Sequence, residues 1–314
     1  MLVSKGKKSL TAYLLALRPK QWTKNLVVFA APIFSFQLDL ITLLQALLSF
    51  GLFCGISSAF YLLNDIADVE SDRRHPTKCR RPIAAGLVSV PAALTMAALL
   101  LVGTITIGWI HVPLLGTTLI AYALMQVAYN LRLKHTVILD VICIASGFVL
   151  RACAGAAATG ITVSVWFLLC TAMLALFLGI EKRKAELRVV QLKGGQTRRV
   201  LYRYSQPLLT RMEGSVTTGV MMTYALWSAG PTVNGAPTPW MMLSFPFVIY
   251  GVFRYQFLSD PEEIGRRANG TDHGGKSERP EEVLLSDRPI ALTVLAWIVT
   301  VVMVLSLNDK GILN

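Results

Sequence analysis

Long apolar runs separated by charged segments restrict the fold of this 314-residue chain more than any other feature of its sequence. A helix needs roughly 20 mainly apolar residues to cross the hydrocarbon core of a bilayer. Runs near that length predict nine membrane-spanning helices, with ends fixed only to about four residues. The nine predicted spans are 25–37, 42–63, 90–110, 113–130, 137–158, 162–180, 214–230, 239–257 and 289–307. The sequence therefore predicts an all-α, polytopic membrane protein.

Composition excludes the other common classes of protein. Charged residues make up 15% of the chain, against roughly a quarter in soluble domains. That shortage, over this length, excludes a disordered chain, a collagen-like chain and an ordinary soluble domain. The formal net charge is +12, which in a soluble protein would indicate nucleic-acid binding. In a membrane protein the same excess is typical of cytoplasmic loops, so we expect no nucleic-acid partner.

The basic residues are concentrated in alternate loops between the predicted spans. Of the 30 Lys and Arg residues, 28 fall in the segments 1–24, 64–89, 131–136, 181–213 and 254–288. No Lys or Arg occurs in the intervening loops at 38–41, 111–112, 159–161 and 231–238. Because cytoplasmic loops have an excess of Lys and Arg, the N-terminus and the basic segments are predicted to be cytoplasmic and the C-terminus to be outside. This alternation supports an odd number of spans.

The first 24 residues are predicted to form a cytoplasmic segment. The charged residues at 18–20 interrupt its apolar stretch, and no small-residue cleavage site of a signal peptide follows. Apolar residues at helical spacing predict a helix that lies on the inner leaflet: Leu10, Tyr13, Leu14 and Leu17. We expect residues 25–314 to form a single nine-helix transmembrane domain, with the four remaining basic segments as its cytoplasmic loops.

Acidic residues cluster where the second predicted span ends. If the helix continues past the membrane edge, Asn64, Asp68 and Asp72 recur every four residues and form one stripe. Asp65 lies on nearly the same face. Carboxylates this close repel each other unless a cation lies between them, and oxygen ligands without His or Cys favour Mg²⁺. The alternative is an acidic helix end whose carboxylates pair with the arginines that follow it.

A basic loop follows this acidic stripe directly. Residues 73–82 read Arg-Arg-His-Pro-Thr-Lys-Cys-Arg-Arg-Pro. Such a loop can simply mark the cytoplasmic side of the membrane. Beside a carboxylate cluster, Lys78 and Arg81 gain a second use, because lysine and arginine bind phosphate oxygens. The two segments together therefore indicate metal–diphosphate chemistry at a membrane surface.

Three stretches of the chain resemble signatures of a known family. The chain reads Asn64-x-x-x-Asp68-x-x-x-Asp72, then His75-Pro76-x-Lys78-x-x-Arg81-Pro82-Ile83-x-x-Gly86, and upstream Arg18-Pro19-x-x-Trp22. These motifs are similar to those of the UbiA superfamily of intramembrane prenyltransferases. The resemblance implies a helix bundle around a central cavity that holds an isoprenoid, with Mg²⁺ and a diphosphate bound at the first motif.

The chain departs from that family after the sixth predicted span. Members that use a prenyl diphosphate generally have a second Asp-rich motif there, whereas this chain reads Gly-Ile-Glu-Lys-Arg-Lys-Ala-Glu-Leu at 179–187. One acidic and one basic motif suit a single metal–diphosphate and a separate phosphate bound by Lys182 or Lys184. The alternative is that these basic residues only determine membrane topology.

This combination of motifs resembles one branch of the superfamily. With Leu131-x-Leu133-Lys134-His135 and Asp140, it is similar to enzymes that transfer phosphoribose to decaprenyl phosphate for cell-wall arabinan precursors. The resemblance implies 5-phosphoribosyl 1-diphosphate as donor, a polyprenyl phosphate as acceptor, Mg²⁺ as cofactor and pyrophosphate as leaving group. It also implies the plasma membrane of a bacterium, an active site on the cytoplasmic face and membrane lipid as surroundings.

The same resemblance assigns roles to individual residues. The implied catalytic residues are Asp65, Asp68 and Asp72, and the implied metal ligands are Asn64, Asp68 and Asp72. The implied substrate-binding residues are Lys24, Asn64, Lys78, Arg81, Tyr129, Lys134, Asp140, Lys182 and Lys184.

Charged residues also occur inside the fifth predicted span. Charges within a membrane are functional by default, and Asp140, near the cytoplasmic end, is expected to orient Lys134 or a ribose hydroxyl. For Arg151 a structural role and a functional role are both open. Gly147 and Gly155 flank Arg151 by one helical turn, which predicts that another helix approaches closely there.

Two other functions remain open from the sequence. One is a prenyltransferase that moves a prenyl diphosphate onto an aromatic or other small acceptor, although the missing second Asp-rich motif speaks against it. The other is a non-enzymatic binder or transporter of lipid phosphates, which often shows inverted repeats; none is evident here. The oligomeric state is not encoded in any motif, and a homo-oligomer is compatible with a bundle of this size.

Overall fold

A computed structural model describes residues 3–75, 77–193, 200–260, 263 and 287–313, with side chains described from residue 10 onward and excluding those of 192 and 193. Over these ranges the chain is helical and contains no β-strand. The α-helices are Val3–Ala16 (α1), Ala30–Phe34 (α2), Leu40–Ala67 (α3), Val69–Arg74 (α4), Val90–His111 (α5), Pro113–Leu131 (α6), Leu139–Thr159 (α7), Val165–Lys193 (α8), Gln206–Ser228 (α9), Phe245–Ser259 (α10) and Arg288–Asp309 (α11). Short 3₁₀ helices lie at Pro19–Phe29, Lys78–Arg80, Leu133–His135, Leu201–Arg203, Pro231–Val233 and Pro239–Ser244.

Polar side chains fix the start of several long helices. The carboxylate of Asp39 accepts hydrogen bonds from the backbone N–H groups of Ile41 and Thr42 at the start of α3. Ser89 caps α5 and Asp287 caps α11 in the same way, each followed by a proline in the first turn. Such caps satisfy N–H groups that have no partner inside the helix. The side-chain hydrogen bond from Thr42 is the main reason that the pKa of Asp39 lies below its ordinary value.

Seven of the nine predicted spans coincide with helices long and apolar enough to cross a membrane. They are α3, α5, α6, α7, the stretch Val165–Gln191 of α8, Pro239–Ser259 and α11. The run 25–37 is divided between a 3₁₀ helix and the five-residue α2. The run 214–230 lies in α9 up to Ser228, and serines, threonines and glycines dilute its apolar residues. A bundle of nine spans therefore stays a prediction.

Helix α8 is longer than the sequence analysis predicted. The span was expected to end at residue 180 and to be followed by a loop, but the helix continues to Lys193. The charged residues at 181–188 therefore lie on a helix rather than in a flexible segment. Most of the predicted loop 254–288 falls outside the described residues, although α10 occupies its first six positions.

The chain divides into two compact units, each with its own core. The first comprises Met1–Ile33, Gln37–Asn130 and Leu150–Thr162, and the second comprises Phe34–Phe36, Leu131–Val149 and Val163–Asn314. In the first unit, fully buried Phe53, Ile56 and Leu119 pack around Tyr122. In the second, Phe177 and Tyr255 form one cluster and an aromatic group around Trp227 another. The single catalytic domain predicted for residues 25–314 and its central cavity stay predictions.

Candidate active site

The acidic motif lies at a break between two helices. Helix α3 ends at Ala67, and Asp68 takes backbone angles of φ −96° and ψ 4° before α4 begins at Val69. The chain nonetheless keeps helical hydrogen bonds across the break, from Asp68 N to Asn64 O and from Asp72 N to Asp68 O. Asp65 and Asp72 are buried, whereas Asp68 is exposed. The single stripe predicted for an unbroken helix is therefore replaced by a buried pair with an exposed carboxylate between them.

Two arginines neutralise the buried pair of carboxylates. Nη1 of Arg81 lies 3.0 Å from Oδ1 of Asp65 and 2.6 Å from Oδ2 of Asp72. Nη2 of Arg18 lies 2.5 Å from the same Asp65 oxygen, and its guanidinium stacks 5.0 Å above the ring of Tyr61. The pairing of acids with following arginines, which was the alternative interpretation of the motif, is thus present for Arg81. Arg18 is an additional partner from the Arg-Pro-x-x-Trp motif.

The chemistry of this acid pair fits a hard cation. Oδ1 of Asp72 is buried and has no hydrogen-bond partner, although its Oδ2 is paired. Among the described residues, no group of three or more His, Cys, Asp or Glu side chains is assembled around a metal position. A metal at this motif would therefore use the unpartnered oxygen of Asp72 together with oxygens that the arginines now hold. Asn64, half-buried one turn before Asp68, supplies a neutral oxygen.

The remaining predicted substrate ligands of the first unit lie at or near its surface. Lys78 is exposed at the start of a 3₁₀ helix, and Gly86, with φ of 72°, makes the turn that returns this loop toward α5. Lys24 and Tyr129 are half-buried. Of the predicted site residues, the structure brings Arg81 into contact with Asp65 and Asp72.

Asp140, a predicted substrate ligand, is enclosed within the second unit. One of its oxygens accepts from Nε of Arg183 at 2.8 Å, and the other accepts from the hydroxyl of Tyr204 at 2.7 Å. The same hydroxyl accepts a hydrogen bond from the backbone N–H of Ile138, a residue held at φ of 75°. Burial of Tyr204 and its bond to Asp140 raise the pKa of the phenol. These contacts favour a positioning role for Asp140 over direct contact with substrate.

The predicted basic cluster on α8 is largely neutralised by nearby acids. The ammonium of Lys184 lies 2.9 Å from Glu181 and also pairs with Glu213 of α9. Arg183 pairs with Glu186 as well as with Asp140. Lys182 is half-buried, as is Lys134. The roles predicted for Lys182, Lys184 and Lys134 in phosphate binding stay predictions.

Sequence reasoning overlooked several residues of these networks. Glu213 and Tyr204 had no local pattern that marked them, because their partners are separated from them by 29 and 64 positions. Arg188, also unremarked, is buried on α8 and donates from Nη2 to the carbonyl of Ser259 at 2.7 Å. Its Nε and Nη1 have no hydrogen-bond partner.

Arg151 is the centre of a polar network inside the first unit. Its Nε donates to Oδ1 of Asn25 at 2.7 Å, and its Nη2 donates to the hydroxyl of Tyr122 at 3.1 Å. The guanidinium also lies over the rings of Phe53 and Tyr122. These contacts link α7 to α3, to α6 and to the 3₁₀ helix at Pro19–Phe29, and they support the structural interpretation of Arg151.

Comparison with known proteins gives consistent results over nearly the whole chain. The model of the UbiA prenyltransferase family matches residues 26–269. A protein of Mycobacterium tuberculosis named decaprenyl-phosphate phosphoribosyltransferase is 37% identical over 292 residues, which cover 91% of each chain. A protein of the same name from Corynebacterium glutamicum is 38% identical over 92% of this chain and 85% of its own length.

The fold is also similar to that of solved structures. A UbiA homologue of Archaeoglobus fulgidus, solved with DMAPP and Mg²⁺, superposes with a TM-score of 0.66 at 20% sequence identity. The superposition covers 94% of this chain and 99% of that one. The family match, the relatives that match about nine-tenths of the chain and the similar fold all point to the family whose motif the chain resembles between Asn64 and Gly86. The chain is therefore a multi-pass membrane protein that belongs to the UbiA prenyltransferase family.

Proposed function

We propose that this protein transfers 5-phosphoribose from 5-phosphoribosyl 1-diphosphate to a polyprenyl phosphate, such as decaprenyl phosphate, and releases pyrophosphate. One observation carries the proposal: relatives named for this activity match about nine-tenths of the chain at 37–38% identity. The solved fold neighbour with Mg²⁺ supports a divalent metal as cofactor.

The charges of the chain suit these two substrates. The first unit offers the carboxylates Asp65, Asp68 and Asp72, with the amide of Asn64, to a metal–diphosphate. Arg81 and Lys78 lie in the following segment and provide cations for the diphosphate oxygens. In the second unit, Lys134 and Lys182 are half-buried cations, suited to a ribose 5-phosphate or a lipid phosphate. Lys24 and Tyr129 supply further donors in the first unit.

The reaction requires stabilisation of charge rather than a general base. The lipid phosphate is already an anion and can attack C1 of the ribose directly. As the bond to pyrophosphate breaks, C1 gains positive charge, which nearby carboxylates stabilise, and Arg81 and Lys78 hold the growing negative charge on the leaving group. Bound Mg²⁺ would supply further neutralisation of that leaving group. Holding both substrates in place adds a proximity effect.

The proposed location of the reaction follows from the charge distribution along the chain and from its relatives. We place the acidic motif, the N-terminus and the basic segments on the cytoplasmic face of a bacterial plasma membrane, because Lys and Arg are concentrated in alternate loops. The product would serve as a precursor for cell-wall arabinan. We propose no nucleic-acid partner, and a homo-oligomer is compatible with the fold.

A reconstitution experiment tests this function directly. Purified protein in detergent is incubated with phosphoribosyl diphosphate, decaprenyl phosphate and Mg²⁺, and the products are examined by mass spectrometry. We expect equal amounts of pyrophosphate and phosphoribosylated lipid, and neither product when Mg²⁺ is removed with EDTA. Lipid that stays unmodified under these conditions would contradict the proposal.

The second candidate is prenyl transfer, which the fold neighbour bound to DMAPP favours. A parallel reaction with radiolabelled prenyl diphosphate and aromatic acceptors tests it. We expect no labelled product, because the position of the second Asp-rich motif is occupied by residues 181–187, whose acids pair with Lys184 and Arg183. Prenylated acceptor without phosphoribosyl transfer would reverse the assignment.

A further inference from the structure

Arg81 occupies carboxylate oxygens that a metal ion would need. A single nitrogen of its guanidinium bridges Asp65 and Asp72, at 3.0 Å and 2.6 Å. With Arg18 on Asp65, two positive charges balance the two buried negative charges. A divalent cation that enters alone therefore meets a neutral cluster, and it must displace a guanidinium to reach the oxygens.

The pairing of Asp72 is incomplete, which indicates that this arrangement is not its only one. Oδ1 of Asp72 is buried without a hydrogen-bond partner, and leaving a charged oxygen unsatisfied in a buried position is costly. Arg81 satisfies only Oδ2. A second ligand of positive charge would use the oxygen that Arg81 leaves unsatisfied.

The two arginines differ in the contacts that hold their side chains besides the carboxylates. Arg18 is fixed to Asp65 and to the face of Tyr61. For Arg81 the described side-chain contacts are the two carboxylates, while the exposed fraction is 28% for both arginine side chains. Arg81 is therefore the arginine that loses all its described side-chain partners when a metal takes the carboxylate oxygens, and its exposed side can then meet another anion.

We propose that Arg81 is a counter-ion switch between the metal-free site and the metal–diphosphate complex. Without metal it neutralises Asp65 and Asp72; when metal and diphosphate arrive together, it moves to the phosphate oxygens. A diphosphate bound to one divalent ion keeps negative charge, so it provides the displaced guanidinium with a new partner. A metal ion without diphosphate provides no new partner for the guanidinium of Arg81. The inference rests on the metal–diphosphate part of the proposed function, and it makes metal and diphosphate bind as one unit.

Two binding measurements on the full-length protein test the switch. Mn²⁺, a hard ion of similar coordination preference, is titrated alone and followed by the loss of its free-ion electron paramagnetic resonance signal. Binding of ³²P-pyrophosphate is then measured by filtration with and without Mn²⁺. For the wild type we expect weak binding of Mn²⁺ alone and pyrophosphate binding about tenfold tighter with Mn²⁺, within the usual range of coupling between two ligands.

The variant Arg81→Gln should shift the two affinities in opposite directions. We expect Mn²⁺ alone to bind about tenfold more tightly, and pyrophosphate with Mn²⁺ to bind about tenfold more weakly, by the same coupling. Arg81→Lys should keep the binding of Mn²⁺ alone weak, since it keeps the charge. Damage to the fold in Arg81→Gln would instead weaken the binding of Mn²⁺ alone as well as the binding of pyrophosphate with Mn²⁺.

Arg73→Gln is the matched control. It removes the same charge from the same segment, but Arg73 pairs with exposed Glu70, so both affinities should stay close to those of the wild type. Binding of Mn²⁺ alone that is unchanged or weaker in Arg81→Gln, or equally tighter in Arg73→Gln, would overturn the switch. Neither probe contains ribose or lipid, so opposite shifts without phosphoribosyl transfer would retain the switch and reject the proposed function.

Discussion

Arg183 and Asp140 form an ion pair in which both side chains are buried from solvent. Nε of Arg183 lies 2.8 Å from Oδ2 of Asp140, and neither side chain is more than 2% exposed. Charges that leave water must find close partners of opposite charge and satisfied hydrogen bonds. Tyr204 completes this requirement at Oδ1 of Asp140. The pair therefore fixes the start of α7 against α8 within the second unit.

The first prediction concerns the hydroxyl of Tyr204. Tyr204→Phe removes the bond to Asp140 and the acceptor for the N–H of Ile138, so we expect a loss of about 1–3 kcal/mol of stability. The pKa of this phenol is raised in the folded protein. Above pH 10 the unfolded chain loses this proton while the folded chain keeps it, so wild-type stability falls by up to about 1.4 kcal/mol per pH unit.

The melting temperature from tryptophan fluorescence, measured from pH 7.5 to 10.5, checks both parts. The Phe variant should start lower and fall less steeply above pH 9.5. Tyr202→Phe is the control, since Tyr202 lies in the same 3₁₀ helix and is 60% exposed. A Tyr204→Phe curve parallel to the wild type at high pH would contradict the prediction.

The second prediction separates two neighbouring lysines of α8. Lys184→Met leaves the carboxylates of Glu181 and Glu213 buried beside each other, and breaking a buried pair costs about 3–5 kcal/mol. Adding Glu213→Gln should restore part of the melting temperature. Lys182→Met should lower the melting temperature less than Lys184→Met, since Lys182 is only half-buried, and should raise the KM for one phosphate substrate several-fold. A stable Lys184→Met protein with a raised KM would instead assign Lys184 directly to substrate.

The third prediction distinguishes the exposed and buried carboxylates of the acidic motif. We expect Asp68→Asn and Asp72→Asn each to reduce transfer on the order of 100-fold, the usual effect of losing one electrostatic contact in a transition state. Only Asp72→Asn should also lower the melting temperature, because it breaks the ion pair with Arg81. Equal melting temperatures for the two variants would show that the buried pair does not stabilise the fold.

Much of the fold could be predicted because its information is local. Apolar runs of membrane length predicted the positions of seven spanning helices, and the capping residues Ser89 and Asp287 lie where two of them begin. The extension of α8 was missed because residues 181–188 contain six charged side chains, which suggested a loop. Hydropathy cannot detect that Asp140 and Glu213 lie close enough to neutralise two of them.

In the candidate site, too, local features could be predicted from the sequence and contacts between distant positions could not. The acidic motif was found because its residues recur at helical spacing, and Arg81 was found because it follows them in sequence. Arg18 lies 47 positions before its partner Asp65, so spacing gave no sign of the contact. The burial of Asp72 next to exposed Asp68 also depends on the break at the end of α3, where the sequence contains neither glycine nor proline.

The last prediction concerns the close approach at Gly155, which the sequence anticipated from its position one turn after Arg151. A Cβ atom added to Gly155 would lie 1.9 Å from the carbonyl oxygen of Val28. Because the obstacle is backbone, Gly155→Ala must displace the 3₁₀ helix at Pro19–Phe29 and with it Asn25, the partner of Arg151. We expect a clear loss of melting temperature, whereas Gly51→Ala, where nothing lies within 4 Å, should gain up to about 1 kcal/mol from helix propensity. Thermal unfolding of both variants in the same detergent measures the contrast, and similar melting temperatures would show that α7 is not held at this contact.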